Sequence, residues 1–249
     1  MDTDSEPFYR DVPREYDRYT PGLPGDVEFY VALAREAGSV VELGVGTGRI
    51  AIPTARAGIP VLGIDREPAM LEIAREKAEA AGLSDRLDLR LGDMRSFVLE
   101  EPVPLVTIPF SAFLHNLTIE DQTATLAACH RALEPGGRLA LNMLNPDLQM
   151  IAKWNDLGPS EWMPYDGWDG YEEQTEFVRR GQLILTTLRA ADEAGEWRTT
   201  TFRLRYVNRY EMQHMLERAG FEVESLMGGF AGEPITESSR HQVWVARRR

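Results

Sequence analysis

A glycine-rich segment near the start of the chain constrains the fold more than any other feature. Residues 40–50 read VVELGVGTGRI, a short apolar run followed by three glycines within five residues. Glycine has no Cβ, so such a segment turns sharply and lets a ligand approach the main chain. The pattern predicts a buried strand, a tight turn and a helix that begins near Arg49, with free N–H groups at its start. This arrangement is typical of a nucleotide-type cofactor site, although short glycine clusters also occur as plain turns.

Apolar strands and amphipathic helices alternate after this segment. Beyond the strand at residues 40–43, the sequence predicts strands at 60–65, 87–91, 105–110 and 138–144, and helices at 50–57, 68–81 and 118–133. A helix is also expected before the glycines, capped by Asp26 and ending at Gly38. Such alternation predicts a parallel sheet covered by helices on both faces, with the ligand at the carboxyl ends of the strands.

Acidic residues stand at the carboxyl ends of the second and third predicted strands. Asp65 follows Gly48 by 17 residues, close to the spacing at which a carboxylate accepts hydrogen bonds from a ribose diol. Its alternative role is to cap the helix that begins at Pro68, and the two roles are compatible. Asp93 occupies the corresponding position after the third strand.

Five short motifs in this order resemble those of class I S-adenosylmethionine-dependent methyltransferases. They are ELGVGTG at 42–48, GID at 63–65, GDM at 92–94, IPF at 108–110 and LEPGG at 133–137. A dinucleotide dehydrogenase would carry G-x-G-x-x-G, whereas here Gly48 comes one residue early and an acid precedes the glycines. The resemblance implies an α/β, Rossmann-like class I methyltransferase fold: a mostly parallel seven-stranded sheet with helices on both faces, and S-adenosyl-L-methionine as the cofactor.

The resemblance also implies which residues hold that cofactor. Gly44 and Gly46 would admit its methionine end, Glu42 would lie near its ammonium group, and Asp65 would bind its ribose hydroxyls. The remaining implied positions are Met70 and Met94 beside the adenine, Asp93 at the adenine amino group, and Ile108, Pro109 and Phe110 along the methionyl part.

Composition narrows the set of partners. The net charge of −13 over 249 residues disfavours nucleic acid, whose binding rests largely on lysine and arginine. The IPFS sequence at 108–111 also lacks the polar residue and second proline of enzymes that methylate base amines. The sequence has no run of 18 apolar residues, so a membrane span is not expected. An acidic N-terminus and a single cysteine favour a cytoplasmic protein. We expect no metal, because histidine, cysteine and aspartate do not cluster with ligand spacing.

Two regions outside this core concentrate aromatic residues. Residues 1–25 combine four prolines with Phe8 and three tyrosines, which predicts an arm that packs on the core as a strap or a lid. Residues 146–208 hold a Trp/Tyr-rich stretch and predicted antiparallel strands at 175–180, 182–190 and 196–208. We interpret the chain as a single methyltransferase domain: arm 1–25, cofactor-binding core 26–145, insertion 146–208, and a closing helix with the last two strands at 209–249.

The acceptor is predicted from side chains around the fourth strand and in the arm. His115 is the best-placed titratable group to take a proton from an acceptor, with a structural histidine as the alternative. Tyr9, Tyr16 and Tyr19 are candidates to hydrogen-bond the acceptor or to contact the sulfonium methyl group of the cofactor. The arm and Phe113–His115 are similar to small-molecule N-methyltransferases of amino-sugar and lincosamide antibiotic pathways. That resemblance implies an N-terminal tyrosine and a histidine beside the acceptor amine, and the matching residues of this chain are either Tyr9 or Tyr16, and His115.

The leading hypothesis is therefore N-methylation of a small secondary-metabolite amine. An O-methyltransferase on a small hydroxylated acceptor and a non-catalytic cofactor-binding protein are the alternatives. The aromatic insertion at 146–208 is expected to cover the substrate, to mediate homo-oligomer formation, or both.

Overall fold

The computed structural model describes residues 7–147, 149, 151–152, 158–166, 169–191 and 195–249, and only the backbone of residues 7, 18 and 19. The side chain of Tyr19 thus lies outside the described residues, and its predicted contact with the cofactor stays a prediction. Trp154 and Trp168 of the aromatic insertion lie outside them as well.

The strands follow the predicted order along the chain. They are β1 (Val40–Leu43), β2 (Val61–Asp65), β3 (Leu87–Leu91), β4 (Val103–Ile108), β5 (Leu133–Leu144), β6 (Met163–Pro164), β7 (Tyr171–Val178), β8 (Leu183–Ala191), β9 (Trp197–Arg205), β10 (Phe221–Met227) and β11 (His241–Arg248). Seven of them form a central sheet in the order β10–β11–β5–β4–β1–β2–β3. Strands β1 to β5 pair in parallel, and β11 runs antiparallel between β5 and β10. The predicted mostly parallel, seven-stranded α/β fold is confirmed.

Helices connect these strands. They are α1 (Pro7–Asp11), α2 (Pro13–Tyr19), α3 (Asp26–Ala37), α4 (Ala51–Arg56), α5 (Pro68–Ala80), α6 (Ile119–Ala132) and α7 (Arg209–Arg218), with a 3₁₀ turn at Ala112–His115. The Thr118 hydroxyl accepts a hydrogen bond from the Asp121 N–H at 3.0 Å, so α6 begins at the predicted cap. Asp26 does not cap α3: Gly25 is the N-cap, and the buried Asp26 carboxylate pairs with Arg49 at 2.8 Å.

Apolar side chains bury the sheet on both faces. Val41 and Leu43 of β1 pack with Leu126 of α6, whereas Val40 packs in a separate cluster with Leu71 of α5. Neighbouring residues of a strand point to opposite faces, so a strand buried on both sides reads as a continuous apolar run. This explains why β1 was readable as a strand from four residues.

Strands β6 to β9 form a second, antiparallel sheet of four strands. Three were predicted; β6 was missed because two residues carry no periodic signal. Phe8 of α1 is buried against this sheet, with its ring centroid 5.1 Å from that of Phe202. The aromatic residues of the arm predicted packing on the core, and the structure places Phe8 against the second sheet instead. In the part of the chain that the structure describes, every helix is too short or too polar to cross a bilayer.

Candidate active site

A cleft with an empty volume of about 800 Å³ opens where β1, β2, β3 and β4 end. Each of these parallel strands delivers the residues that follow it to the same edge of the sheet, and α1 and α2 lie across the opening. The walls contain predicted site residues from the first four motifs, the N-terminal arm, α5 and the turn after β4: Tyr9, Tyr16, Gly44, Gly46, Asp65, Met70, Asp93, Met94, Pro109, Phe110 and His115.

Two predicted residues lie behind this wall. Glu42 and Ile108 are buried in β1 and β4, with 3% and 0% of their surface exposed, and do not line the cleft. Their predicted contacts with the cofactor stay predictions. The wall also includes residues that were not predicted: Ile64, Arg66, Glu67, Gly92, Ala112 and Asn116. Each lies within two residues of a motif position or of His115, so reading the flanks of each motif would have found them.

The glycine turn is held against the end of β2. Gly44 and Gly46 have φ of 70° and 54°, and a Cβ on Gly44 would lie 2.7 Å from the Cβ of Ala112. Asp65 accepts hydrogen bonds from the Gly46 N–H at 2.7 Å and the Glu67 N–H at 2.9 Å. The turn thus presents bare main chain beside a carboxylate, which fits a ligand that carries a diol and needs close backbone approach.

Glu42 is a buried carboxyl group beneath that turn. Burial raises its pKa to about 8; the positive charge of Arg49 opposes the shift, and the nearby acids Asp65 and Asp26 add to it. Arg49 itself is committed to Asp26 and lies 5.0 Å from the centre of the Phe110 ring. A cationic ligand group close to Glu42 would favour its ionised form, which fits the predicted ammonium contact.

Asp93 is held by an arginine that the sequence analysis did not single out. The Arg95 Nε lies 2.9 Å from both oxygens of Asp93, and the Arg95 N–H donates to Oδ1 at 2.8 Å. Arg95 also pairs with Asp121 at the start of α6, at 3.0 Å. Burial alone would raise the pKa of Asp93, but the hydrogen bonds from Arg95 outweigh it and lower the pKa. Asp93 therefore stands at the wall as an ionised acceptor.

A second, open cavity adjoins the first, with about 680 Å³ of empty space that includes open solvent. The two share four wall residues, namely Tyr9, Tyr16, Phe110 and His115. The rest of the second wall comes from distant parts of the chain: Phe8, Thr20, Leu23, Ser111, Tyr165, Phe202, Leu204 and His241. Among these described wall residues there is no carboxylate, lysine or arginine. We name the first cavity the donor cleft and the second the acceptor chamber, after the roles proposed for them below.

His115 and Tyr9 meet at the junction of the two cavities. The Tyr9 hydroxyl lies 2.8 Å from His115 Nε2, and the two rings are T-shaped at 5.2 Å. Burial lowers the pKa of His115 to about 3, and the charge of Arg66 lowers it further, against a backbone contact at Arg203. Burial also raises the pKa of Tyr16. His115 and Tyr16 are therefore uncharged at neutral pH, and His115 is a weak base.

An unusual backbone conformation directs Phe110 into the junction. Phe110 and the next residue, Ser111, both have left-handed φ values of 52° and 62°, which non-glycine residues adopt at a cost. Asn142 on β5 stabilises this turn: its Oδ1 accepts from the Phe110 N–H and from the Tyr30 hydroxyl, each at 2.8 Å. Sequence reasoning missed Asn142, because its partners lie 32 and 112 residues away.

The arm is fastened across the donor cleft by polar contacts. Asp17 of α2 accepts from the Thr47 hydroxyl in the glycine turn at 2.8 Å and from Lys77 of α5 at 2.8 Å. Arg14 of the same helix pairs with Glu76 of α5 at 3.1 Å. Within the described residues, histidine, cysteine and acidic side chains form no group suited to a metal ion.

The known proteins to which this chain is similar are methyltransferases. Residues 40–137 match the family model of the methyltransferase domain. The cypemycin N-terminal methyltransferase of a Streptomyces species is 29% identical over 221 residues, covering 84% of this chain and 83% of the relative. The ubiquinone biosynthesis O-methyltransferase of Xanthomonas euvesicatoria is 31% identical over 106 residues, 43% of each chain.

Among solved structures, the CcbJ methyltransferase of Streptomyces caelestis superposes with a TM-score of 0.85 at 27% identity, covering 100% of this chain and 99% of that one. These relatives indicate the same cofactor as the fold, the glycine turn and the acidic residues that follow β2 and β3. Residues 40–137 form a methyltransferase domain, the activity of the chain is S-adenosylmethionine-dependent methyl transfer, and its cofactor is S-adenosyl-L-methionine.

Proposed function

We propose that this enzyme transfers a methyl group to the nitrogen of a small secondary-metabolite amine. The observation that carries the proposal is the junction between the donor cleft and the acceptor chamber, where Tyr9, Tyr16, Phe110 and His115 form walls of both. A methyl group delivered at this junction meets an acceptor held in a largely aromatic, uncharged chamber.

On the donor side, the proposal assigns each part of the cofactor to the group that fits it. Asp65 binds the ribose hydroxyls, Asp93 accepts from the adenine amino group, and Met70 and Met94 pack against the adenine. Glu42 is the counter-charge for the ammonium group, and the main chain of Gly44 and Gly46 admits the methionine end. Ile108, Pro109 and Phe110 lie along the methionyl part of the cofactor.

On the acceptor side, uncharged side chains orient a neutral amine. When bound, the cofactor supplies an electrophilic methyl group on a sulfonium. Tyr9 and His115 hold the acceptor nitrogen in line with that methyl group, and Tyr16 closes the junction from the arm. Positioning of this kind supplies much of the acceleration when the donor is already activated. The proton of the product ammonium passes to water, because the His115 ring binds protons weakly.

The low pKa of His115 favours nitrogen over oxygen as the acceptor. A hydroxyl group must lose its proton during attack, which requires a base matched to neutral pH. A buried ring with a pKa of about 3 is poorly matched to that task. An amine that arrives neutral needs only orientation. The relative named an N-terminal methyltransferase aligns with 84% of the chain, whereas relatives named O-methyltransferases align with 43% to 62% of it.

In this proposal the chain is one domain, with a core at 26–145 and closing elements at 209–249. The acceptor chamber is covered by the arm at 1–25 and by the insertion at 146–208. The wall of the chamber includes Phe8, Tyr9, Tyr16, Thr20 and Leu23 from the arm, and Tyr165, Phe202 and Leu204 from the insertion. The same insertion carries exposed Met163 and Trp197, which suit a contact between copies of the chain in a homo-oligomer. A cytoplasmic location is part of the same proposal.

The test is methyl transfer from radiolabelled S-adenosylmethionine to two matched panels. One panel contains small cyclic and sugar-like amines, and the other contains the same scaffolds with a hydroxyl in place of the nitrogen. The expected result is label on the amine panel, with a rate that rises with pH until the acceptor's own pKa is reached. Labelling of the hydroxyl panel alone would overturn the nitrogen assignment and favour O-methylation.

A further inference from the structure

His241, the first residue of β11, lines the acceptor chamber but is not part of the donor cleft. Its Nδ1 is enclosed by protein and has no hydrogen-bond partner among the described residues. Nε2 is therefore the ring nitrogen through which His241 can bind a ligand. The proposed mechanism gives a role to the other histidine of the chamber, His115, and leaves His241 unused.

The ring of His241 is uncharged at neutral pH. Burial lowers its pKa, the positive charge of Arg240 lowers it further, and the negative charge of Asp26 opposes the shift. In a neutral imidazole one nitrogen donates a hydrogen bond and the other accepts one. A hydroxyl group both donates and accepts, so it matches Nε2 in either tautomer. A charged ligand group would find no opposite charge, because the described walls of the chamber contain no carboxylate, lysine or arginine.

His241 lies beyond the junction of the two cavities, beside the turn after β4. It pairs with Leu144 of β5, and the Leu144 N–H donates to the Ser111 hydroxyl at 3.0 Å. Ser111 and His241 are thus neighbours on one wall, and both line the acceptor chamber alone. The residues that line both cavities, such as His115, form the proposed place of methyl transfer. An acceptor whose nitrogen lies there therefore meets His241 with another part of the molecule.

We propose that His241 is a specificity-determining residue whose Nε2 hydrogen-bonds a hydroxyl group of the acceptor, on a carbon away from the methylated nitrogen. The inference rests on the proposed N-methylation and adds the chemical class of the acceptor, an amino alcohol or amino sugar. Ser111 brings a second hydrogen-bonding side chain to the same wall. A site built to bind a hydroxyl group discriminates against analogues that leave it unpaired, so an amine without that group is expected to be a poorer substrate.

A purely structural role for the ring is the competing explanation. His241→Phe keeps an aromatic ring of similar size and removes both nitrogens, so a packing role survives in it. His241→Gln places an amide near the position of Nε2, so a hydrogen-bonding role survives there. His241→Asn, whose shorter side chain withdraws the polar group from that position, replaces the phenylalanine variant if the latter does not fold.

The experiment compares methylation of cyclohexylamine and of the three positional isomers of trans-aminocyclohexanol, in which the hydroxyl group lies at increasing distance from the nitrogen. Values of kcat/KM are measured with radiolabelled S-adenosylmethionine at one pH. The wild-type enzyme is expected to prefer at least one amino alcohol over cyclohexylamine by roughly 10-fold. His241→Phe should lose most of that preference, and His241→Gln should retain a larger part of it. Because every enzyme is tested on the same amines, differences in amine basicity cancel between variants.

Binding of S-adenosylhomocysteine, measured by calorimetry, shows whether each variant is folded. His214→Phe, at an exposed position on α7, is the control and should keep the wild-type preference. Methylation of the amines without preference for any amino alcohol would overturn the role of His241, and so would an unchanged preference in His241→Phe. In both cases the proposed N-methylation stands. If no amine is labelled, the proposed function fails, and the hydroxyl-binding role of His241 fails with it.

Discussion

The donor cleft and the acceptor chamber are built in different ways. Apart from Tyr9 and Tyr16, the walls of the donor cleft come from residues 44–116, in the order in which β1 to β4 deliver them. The acceptor chamber draws on α1, α2, the loop after β4, the second sheet and the start of β11. Parallel strands bring the first set together automatically, whereas the second set depends on how distant segments pack.

The two cavities also differ in charge. Asp65, Arg66, Glu67 and Asp93 line the donor cleft. In the described part of the chain, the acceptor chamber has aromatic, aliphatic and hydroxyl walls, and its two histidines have lowered pKa values, mainly through burial. We propose that the donor cleft binds the polar groups of the cofactor and that the acceptor chamber selects the acceptor by its shape and by aromatic contact.

The strongest test of this contrast is Asp65→Ala. Asp65 is expected to bind the ribose and to hold the Gly46 N–H, so the substitution should weaken binding of S-adenosylhomocysteine at least 100-fold, measured by calorimetry. Asp88→Ala, an exposed residue on β3 paired with Arg90, is the control and should bind normally. Unchanged affinity of Asp65→Ala would refute the ribose assignment.

His115→Ala should affect the other cavity. Turnover is expected to fall roughly 30-fold, while affinity for S-adenosylhomocysteine stays within about 3-fold, because the ring orients the acceptor and not the donor. His214→Ala, exposed on α7, is the matched control. Full activity of His115→Ala would show that the residue has no role in the mechanism. A loss of affinity for S-adenosylhomocysteine as large as the loss of turnover would show that His115 also supports donor binding.

Glu42→Gln tests the buried charge behind the donor cleft through pH. With a pKa of about 8 in the folded state and near 4.5 when unfolded, Glu42 binds more protons in the folded state between these values. Stability of the ligand-free protein should therefore fall as pH rises from 5 to 8, by on the order of 2 kcal/mol. Glu42→Gln should lose that slope in urea unfolding. An identical slope in both proteins would show that Glu42 does not have this raised pKa.

Asp17→Ala should have the smallest effect, because it loosens the arm without removing a wall. The partly exposed contacts with Thr47 and Lys77 are worth about 1 kcal/mol together, so dissociation of S-adenosylhomocysteine should accelerate about 3- to 5-fold in stopped-flow measurements. Asp11→Ala, which loses an exposed contact with neighbouring Arg10, should release the ligand at the wild-type rate. No acceleration would show that the arm does not hold the donor.

The same division separates what the sequence predicted from what it did not. Strand ends and glycine turns are local signals, so the amino-acid pattern alone could place Gly44, Asp65 and Asp93 on one edge of the sheet. The neutral state of His115 depends on burial by the arm and the second sheet, which no local pattern encodes. Arg95 was missed because an arginine two residues after an aspartate reads as an ordinary surface residue.

Asn142, a buried residue of the central sheet, is a second residue whose role the sequence alone does not predict. It stands in an apolar strand where an amide looks like an interruption, yet it supports the left-handed turn at Phe110. Its role follows only from the pairing of β4 with β5 and the approach of Tyr30 from α3. Residues that support a site through long-range packing carry little signal in the chain itself.

The arm has a consequence for how the two ligands influence each other. Tyr9 and Tyr16, from α1 and α2, belong to the walls of both cavities, and Asp17 secures the same segment to the glycine turn. If binding of the donor orders the arm, the entropy cost of ordering it is already offset when the acceptor binds. By thermodynamic linkage the benefit is mutual, so donor and acceptor should bind with positive cooperativity, and product release should require both cavities to open together.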